Sequence, residues 1–350
     1  MKINKFTKTI ASLFLGAFIA AGFTGCMNPI FHYIKEEVKL EEMKIHGDIY
    51  SFARIGEDSN AKIFVSNGKI YWKEASKEGY GGWTEFKKPE GQVYTIASDK
   101  NDNLYAVTFI SSKYDSDGEM KVTEKRLYAC SAADGDWTQI DSISIGEDSL
   151  KDVYALMGTN SVIPGHREAF INIRGTGYSL SGKEKPKKDS AADNKKSCAY
   201  LDGVGVKFYT GNAACSNNYD TLIYYAEGST LKATGKLNNE TVTDEKIASG
   251  VRSTINGIAV CEGSVLINTN SGAALVNGTS GEEITWANLT STLSTLYEGR
   301  ACIIADPSKT YDKAICYAGL TVEGTGSNSA LFTHEGLWSY YPSRGKWNVE

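Results

Sequence analysis

Short runs in which apolar and polar residues alternate, broken by Gly, Asn, Asp and Ser, fill the chain from Ala61 onward. Such alternation is the period of a half-buried strand, and the breakers are the residues that antiparallel turns demand. Four stretches echo one another: AKIFVSNGKIYWKEASKEGYGGWTEF from Ala61, KRLYACSAADGDWTQI from Lys125, SVLINTNSGAALVNGTSGEEITWANL from Ser264 and SALFTHEGLWSYYPSRGKWNVE from Ser329. Each reads as an apolar strand, a turn of small residues, then a Trp with alternating neighbours. AFINIRGTGYSLSG from Ala169 and DTLIYYAEGSTLKATG from Asp220 repeat the hairpin without the Trp. Long helical periodicity is nearly absent. Only IKEEVKLEEMKI, Ile34 to Ile45, sets Ile34, Val38 and Met43 near one helical face.

The hairpin turns are predicted near Gly68, Gly118, Gly175, Gly228, Gly272 and Gly336, about 54 residues apart on average, and self-similar units of that order with four strands each signal a β-propeller. The expected fold is therefore all-β: a propeller of six blades, or seven if CIIADPSKTYDKAICYAGL, Cys302 to Leu320, opens another. A lone four-stranded sheet cannot bury both faces, whereas a ring lets each blade cover the next and leaves only short outer edges. Trp83, Trp137, Trp286 and Trp347 recur from unit to unit, which suits anchors between blades better than a row for stacking carbohydrate. Composition agrees with strands: Tyr is abundant at 20, Gly at 35, and Pro is rare at 6, while 41% apolar residues suffice for a real core.

The beginning of the chain has another character. Lys2, Lys5 and Lys8 precede TIASLFLGAFIAAGF, Thr9 to Phe23, which carries no charge. A positive start, an apolar run of about 15 residues and a small-residue exit read as a secretory signal peptide rather than a spanning helix, which needs about 20. Phe23, Thr24, Gly25 and Cys26 resemble the lipobox of bacterial lipoproteins, with Phe23 standing where Leu is usual. That resemblance implies cleavage before Cys26, a diacylglyceryl group on its thiol and acylation of the new amino terminus; several acyl chains hold a membrane far more firmly than one. It places the protein in the bacterial cell envelope, outside the cytoplasm and moored to the membrane by an N-terminal lipid. Met27 rather than Asp follows the cysteine, which by the same analogy points to the outer membrane. The expected organisation is residues 1–25 as signal peptide, 26–47 as lipidated cysteine and charged tether, and 48–350 as propeller. The helix-like Ile34–Ile45 stretch belongs to that tether, with a partner-binding helix as its alternative.

Charge and chemistry narrow the functions. The whole chain carries a formal −5, and removing Lys2, Lys5 and Lys8 makes the rest more acidic still. An acidic body does not suit a nucleic-acid partner, which needs phosphates neutralised. Cys130, Cys198, Cys215, Cys261, Cys302 and Cys316 are even in number, which permits disulfides, but most lie in apolar strand-like runs where a thiol packs well. With no CxxC pair, a zinc or thioredoxin-type centre has no support. His32, His46, His166 and His334 show no shared-metal spacing. SDKNDN, with Asp99, Asn101 and Asn103, and YDSDGEM, with Asp115, Asp117 and Glu119, lack the EF-hand glutamate and fit tight turns. No cofactor is implied.

SAADGDW, Ser131 to Trp137, and SKEGYGGW, Ser76 to Trp83, resemble worn versions of the Asp box, the turn between third and fourth strands in sialidase-type propellers. In the first, Asp134 lies one residue from Gly135 instead of two; the second lacks the Asp. A sialidase would need an arginine cluster, a Tyr nucleophile with a Glu partner, and an acid. Arg54, Arg126, Arg167, Arg174, Arg252, Arg300 and Arg344 are spread along the chain, and no Arg-Ile-Pro segment occurs. SGKEKPKKDSAADNKKS, Ser181 to Ser197, is expected to be an exposed, mobile loop between blades. Its Lys183, Lys185, Lys187, Lys188, Lys195 and Lys196 are either solvated or a patch for anionic glycans or lipid headgroups. These features favour a non-enzymatic binding or scaffolding platform for protein or glycan. A sialidase-like glycosidase and a purely structural surface lipoprotein are the alternatives.

Overall fold

The computed structural model describes residues 45–56, 60–77, 81–114, 120–140, 154–215, 221–237, 240–248, 253–261, 264–270, 272–277, 295–305, 313–323, 333–341, 343 and 346–350. Residues 1–44, and with them Cys26 and the tether helix, lie outside these, as do Trp286, Arg252, Arg344 and the acidic turn at 115–119.

Five sheets have four antiparallel strands each. The first holds β1 (Ser51–Ile55), β2 (Lys62–Ser66), β3 (Ile70–Glu74) and β4 (Thr84–Phe86), and the second β5 (Gln92–Ser98), β6 (Asn103–Tyr114), β7 (Met120–Ser131) and β8 (Thr138–Gln139). The third holds β9 (Tyr154–Gly158), β10 (Ala169–Ile173), β11 (Thr176–Leu180) and β12 (Lys187–Lys188). Next comes a two-stranded sheet of β13 (Ser197–Leu201) and β14 (Gly205–Tyr209). It is followed by the four-stranded sheet of β15 (Ala213–Cys215), β16 (Leu222–Glu227), β17 (Thr230–Leu237) and β18 (Glu240–Ala248). A three-stranded sheet then holds β19 (Ile255–Cys261), β20 (Ser264–Thr269) and β21 (Gly272–Asn277). The last is four-stranded: β22 (Thr295–Ile304), β23 (Cys316–Glu323), β24 (Thr333–Tyr341) and β25 (Lys346–Val349).

The first strand of every sheet touches the first strand of the next, from β1 through β5, β9, β13, β15 and β19 to β22, and β22 returns to β1. That closed circle makes the body a β-propeller. The expected count of six or seven full blades is corrected: five are four-stranded among the described residues. The two-stranded sheet stays small because only Thr210, Gly211 and Asn212 separate β14 from β15.

Each strand buries alternate residues against opposite neighbours. Ile63 and Val65 on β2 join a cluster with Ile303, Ile315 and Tyr317 of the last blade, while Phe64 between them packs with Val93, Ile96 and Leu104 of the second. On β6, Leu104 and Ala106 face the first blade, Tyr105 and Val107 the third. On β16, Leu222 and Tyr224 pack towards β19 and β20, and Ile223 towards β13. Strands covered on both faces read as apolar runs more than as strict alternation. Two of the tryptophans meet aromatic rings of a neighbouring blade, Trp83 with Tyr317 edge-on at 5.1 Å and Trp137 with Phe86 at 6.5 Å, whereas Trp347 packs on Tyr340 of its own blade at 5.1 Å.

One expectation is overturned, and another is refined. Gly336 is no turn; it lies inside β24, opposite Leu320, with His46 on its other side. Ser181–Ser197 is largely exposed, yet it is not loop throughout. It contains β12, which completes the third blade, and a 3-10 turn at Ser190–Ala192 whose N-cap, Asp189, accepts a hydrogen bond from the Ala191 amide. Ala192 is fully buried, and Gly177 lets it come so close that a Cβ there would stand 2.5 Å from the Ala192 Cβ and the Asp189 carbonyl oxygen. Lysines on an outermost strand such as β12 also deter edge-to-edge pairing.

Candidate functional site

The seven first strands enclose a central channel of about 910 Å³. A strand at the inner edge of a sheet offers unpaired carbonyls, and side chains of other blades cover some of them. Asn212 Nδ2 donates to the Ile255 carbonyl at 3.0 Å, Asn256 Nδ2 to that of Gly299 at 3.0 Å, and Asn160 Nδ2 to that of Phe52 at 3.4 Å. Between first and last blades a charged group does this work: Arg54 Nη2 donates to the Ile304 carbonyl at 2.6 Å and to that of Ala305.

One end of the channel, where the first strands begin, gathers chemically versatile groups. Tyr50 and Tyr94 come from adjacent blades, with ring centroids 4.9 Å apart and planes at 58°. Beside them Arg300 Nη2 reaches Asp48 Oδ1 at 2.7 Å and Glu335 Oε1 at 4.0 Å. Thr95, lining the channel beside Tyr94, is 9% exposed, and its hydroxyl has no hydrogen-bond partner among the described residues. Lys195 and Lys196 reach the wall from the third-blade side. Burial, the Asp48 charge and Tyr94 push Tyr50 up to about 12; burial also raises Tyr94, and Arg300 partly offsets both shifts.

A tyrosine whose proton is held more tightly when folded contributes stability that is whole below its ordinary value and lost above it. The Tyr50 contribution should therefore fade as pH climbs from 10.0 to about 12. Melting curves across that window should fall more steeply for the wild type than for Tyr50→Phe; parallel curves would show that the phenol does not titrate this way.

The six candidate lysines divide. Lys183, Lys185, Lys187 and Lys188 are exposed on the outer part of the third blade, whereas Lys195 and Lys196 lie at the channel. The arginines are dispersed among the described residues. Arg126 pairs with Glu124 and Glu90, Arg167 with Asp102 and the Gly56 carbonyl, and Arg174 sits exposed at the β10–β11 turn. Only Arg300 joins the tyrosine pair. Asp99 serves its turn: it accepts from the Asn101 and Asn103 amides, from the Asn103 side chain and from Tyr105. His166 stacks on Tyr200 at 3.8 Å. Cys130, Cys198 and Cys316 are buried and Cys302 half-buried, none in a disulfide, and burial pushes the Cys130 thiol up to about 12. SAADGDW does fall between the third and fourth strands of its blade, and the Asp136 amide donates to Asp134 Oδ1 at 2.9 Å.

Sequence reading missed Asp48, Tyr50, Tyr94 and Glu335. One signal was available: Tyr50 and Tyr94 lie about 44 residues apart, as do Asn212, Asn256 and Arg300, a blade-sized interval.

No family model matches the chain, and no curated protein is significantly similar to it. Among solved structures it is similar to the tricorn protease, with a TM-score of 0.51 and 10% identity over 87% of this chain. The match spans 26% of that protein's length. A luciferin-regenerating enzyme gives a TM-score of 0.46 at 11% identity, covering 85% of this chain and 92% of the other. YCF48 bound to D1 peptide gives 0.39 at 11% identity, with 84% and 78% covered. At such identities the likeness concerns the propeller fold alone.

Proposed function

We propose that this protein is a lipid-anchored, extracytoplasmic propeller of the bacterial envelope that acts as a non-enzymatic binding platform, moored at Cys26 and taking its ligand at the channel mouth. One observation carries the binding role: a rigid ring whose channel ends in convergent aromatic, carboxylate and guanidinium groups, the composition of a site that orients a ligand. The lipobox resemblance supports the anchor, and Met27 supports the outer membrane. The platform is preferred to the sialidase-like alternative because Arg126, Arg167 and Arg174 stand away from the tyrosine pair that Arg300 joins. The six lysines are a secondary surface for an anionic partner.

Feeding cells a palmitate analogue should label the wild type and leave Cys26→Ala unlabelled; equal labelling rejects the anchor. For binding, envelope extracts should be passed over the wild type and over a variant with the six lysines changed to Gln. Deleting residues 181–197 is unsuitable because it removes β12 and the buried Ala192. Retention of the same ligand by both proteins places binding away from the lysines; no ligand on either one rejects the platform.

A further inference from the structure

We infer that the ligand taken at the channel mouth is a saccharide, bound on the Tyr50–Tyr94 pair; this rests on the platform reading above. A sugar ring has one face of C–H groups and a rim of hydroxyls. It calls for an aromatic surface bordered by planar polar groups, and the mouth supplies both. The two phenol rings lie half-buried in the wall. Asp48 and Glu335 offer carboxylate acceptors and Arg300 a donor fork beside them, a set able to meet adjacent hydroxyls in pairs. Thr95 adds a buried hydroxyl that no described group satisfies, on the strand that carries Tyr94. A buried polar group left unmatched is costly, and a ligand hydroxyl is one way to match it. The volume suits a few sugar rings.

Charge and surface select against the competing classes. Arg300 is balanced by two carboxylates, so the tyrosine side of the mouth presents no excess of positive charge for a phosphate or polyanion. A protein partner needs apolar anchors at its contact. Among the described residues the exposed large hydrophobics come down to Val204, in the β13–β14 turn.

The test is an array of neutral oligosaccharides, with sialylated and uronic-acid glycans alongside, probed with the full chain in detergent. Calorimetry on the best binder follows. A neutral saccharide should bind, Tyr94→Ala should weaken it by about tenfold or more, and Tyr94→Phe should stay within about threefold, because the stacking face is kept. Thr95→Val guards against a folding artefact: it deletes a hydroxyl with no partner among the described residues, so melting should hold while saccharide affinity falls. Unchanged affinity in both Tyr94→Ala and Thr95→Val overturns the inference, as does binding of acidic glycans alone. If no glycan binds but an envelope protein is captured in a Tyr94-dependent way, the saccharide assignment fails and the platform reading stands. If nothing binds, both fail.

Discussion

Glu350→Ala is expected to destabilise the ring by about 3–5 kcal/mol, the usual cost of removing one member of a buried ion pair. Glu350 is wholly buried and its Oε2 lies 3.4 Å from Lys73 Nζ, itself 1% exposed. The same oxygen accepts from the Gly81 amide at 2.9 Å and from Trp83 Nε1 at 2.8 Å. Lys73 also stands over the rings of Tyr317, at 5.3 Å, and Trp83, at 5.8 Å. Burial pulls the Lys73 pKa down and Glu350 pulls it back up. Without the carboxylate, the ammonium keeps its desolvation cost and loses its counter-charge, while an indole and an amide lose their acceptor. This contact joins the first blade to the last, so its loss loosens the seam where the ring closes. Urea unfolding with an unchanged slope is the measurement. The double change Lys73→Met with Glu350→Leu should recover much of the loss, since an apolar pair carries no desolvation penalty. A Glu350→Ala midpoint equal to wild type would mean that the pair does not hold the seam.

The seam shows how much a single sequence discloses. Hairpins at Gly68, Gly175 and Gly228 were legible because local alternation and turn residues specify them. The β13–β14 hairpin went unseen although Asp202-Gly203 is a strong turn signal, because no outer strands follow it to mark a separate unit before β15. Gly336 misled for the opposite reason. It looks like a turn glycine, but it stands mid-strand, paired with Leu320 of the preceding strand and bridged by His46 from the other end of the described chain. The lysine-rich segment has the composition of a loop; the cap at Asp189 and the burial of Ala192 against Gly177 are tertiary facts that override it. The mouth was the least legible. Tyr50 meets Tyr94, and Arg300 meets Asp48, only because closing the circle brings the first, second and last blades together.

Gly257→Val should be the most damaging single change near that mouth. A Cβ at Gly257 would stand 2.5 Å from the Arg300 carbonyl oxygen, 3.0 Å from the Cys302 amide nitrogen and 3.1 Å from its sulfur. Two of these are backbone atoms of β22, which cannot swing aside as a side-chain tip can. Here β19 and β22 approach main chain to main chain, and both sheets carry register shifts at this level, between Ile255 and Gly257 and between Gly299 and Cys302. Overpacking a well-filled core costs about 1–3 kcal/mol, and a branched side chain against backbone belongs at the top of that range or above it. The strain should also displace Arg300 from Asp48, so ligand capture at the mouth should weaken together with stability. Gly165→Ala is the matched control: no atom stands within 4 Å of a Cβ there, so melting should be unchanged or slightly raised. Calorimetric melting of the two variants beside the wild type decides the matter. If Gly257→Val melts with Gly165→Ala, the two inner strands are not in the contact that the channel geometry requires.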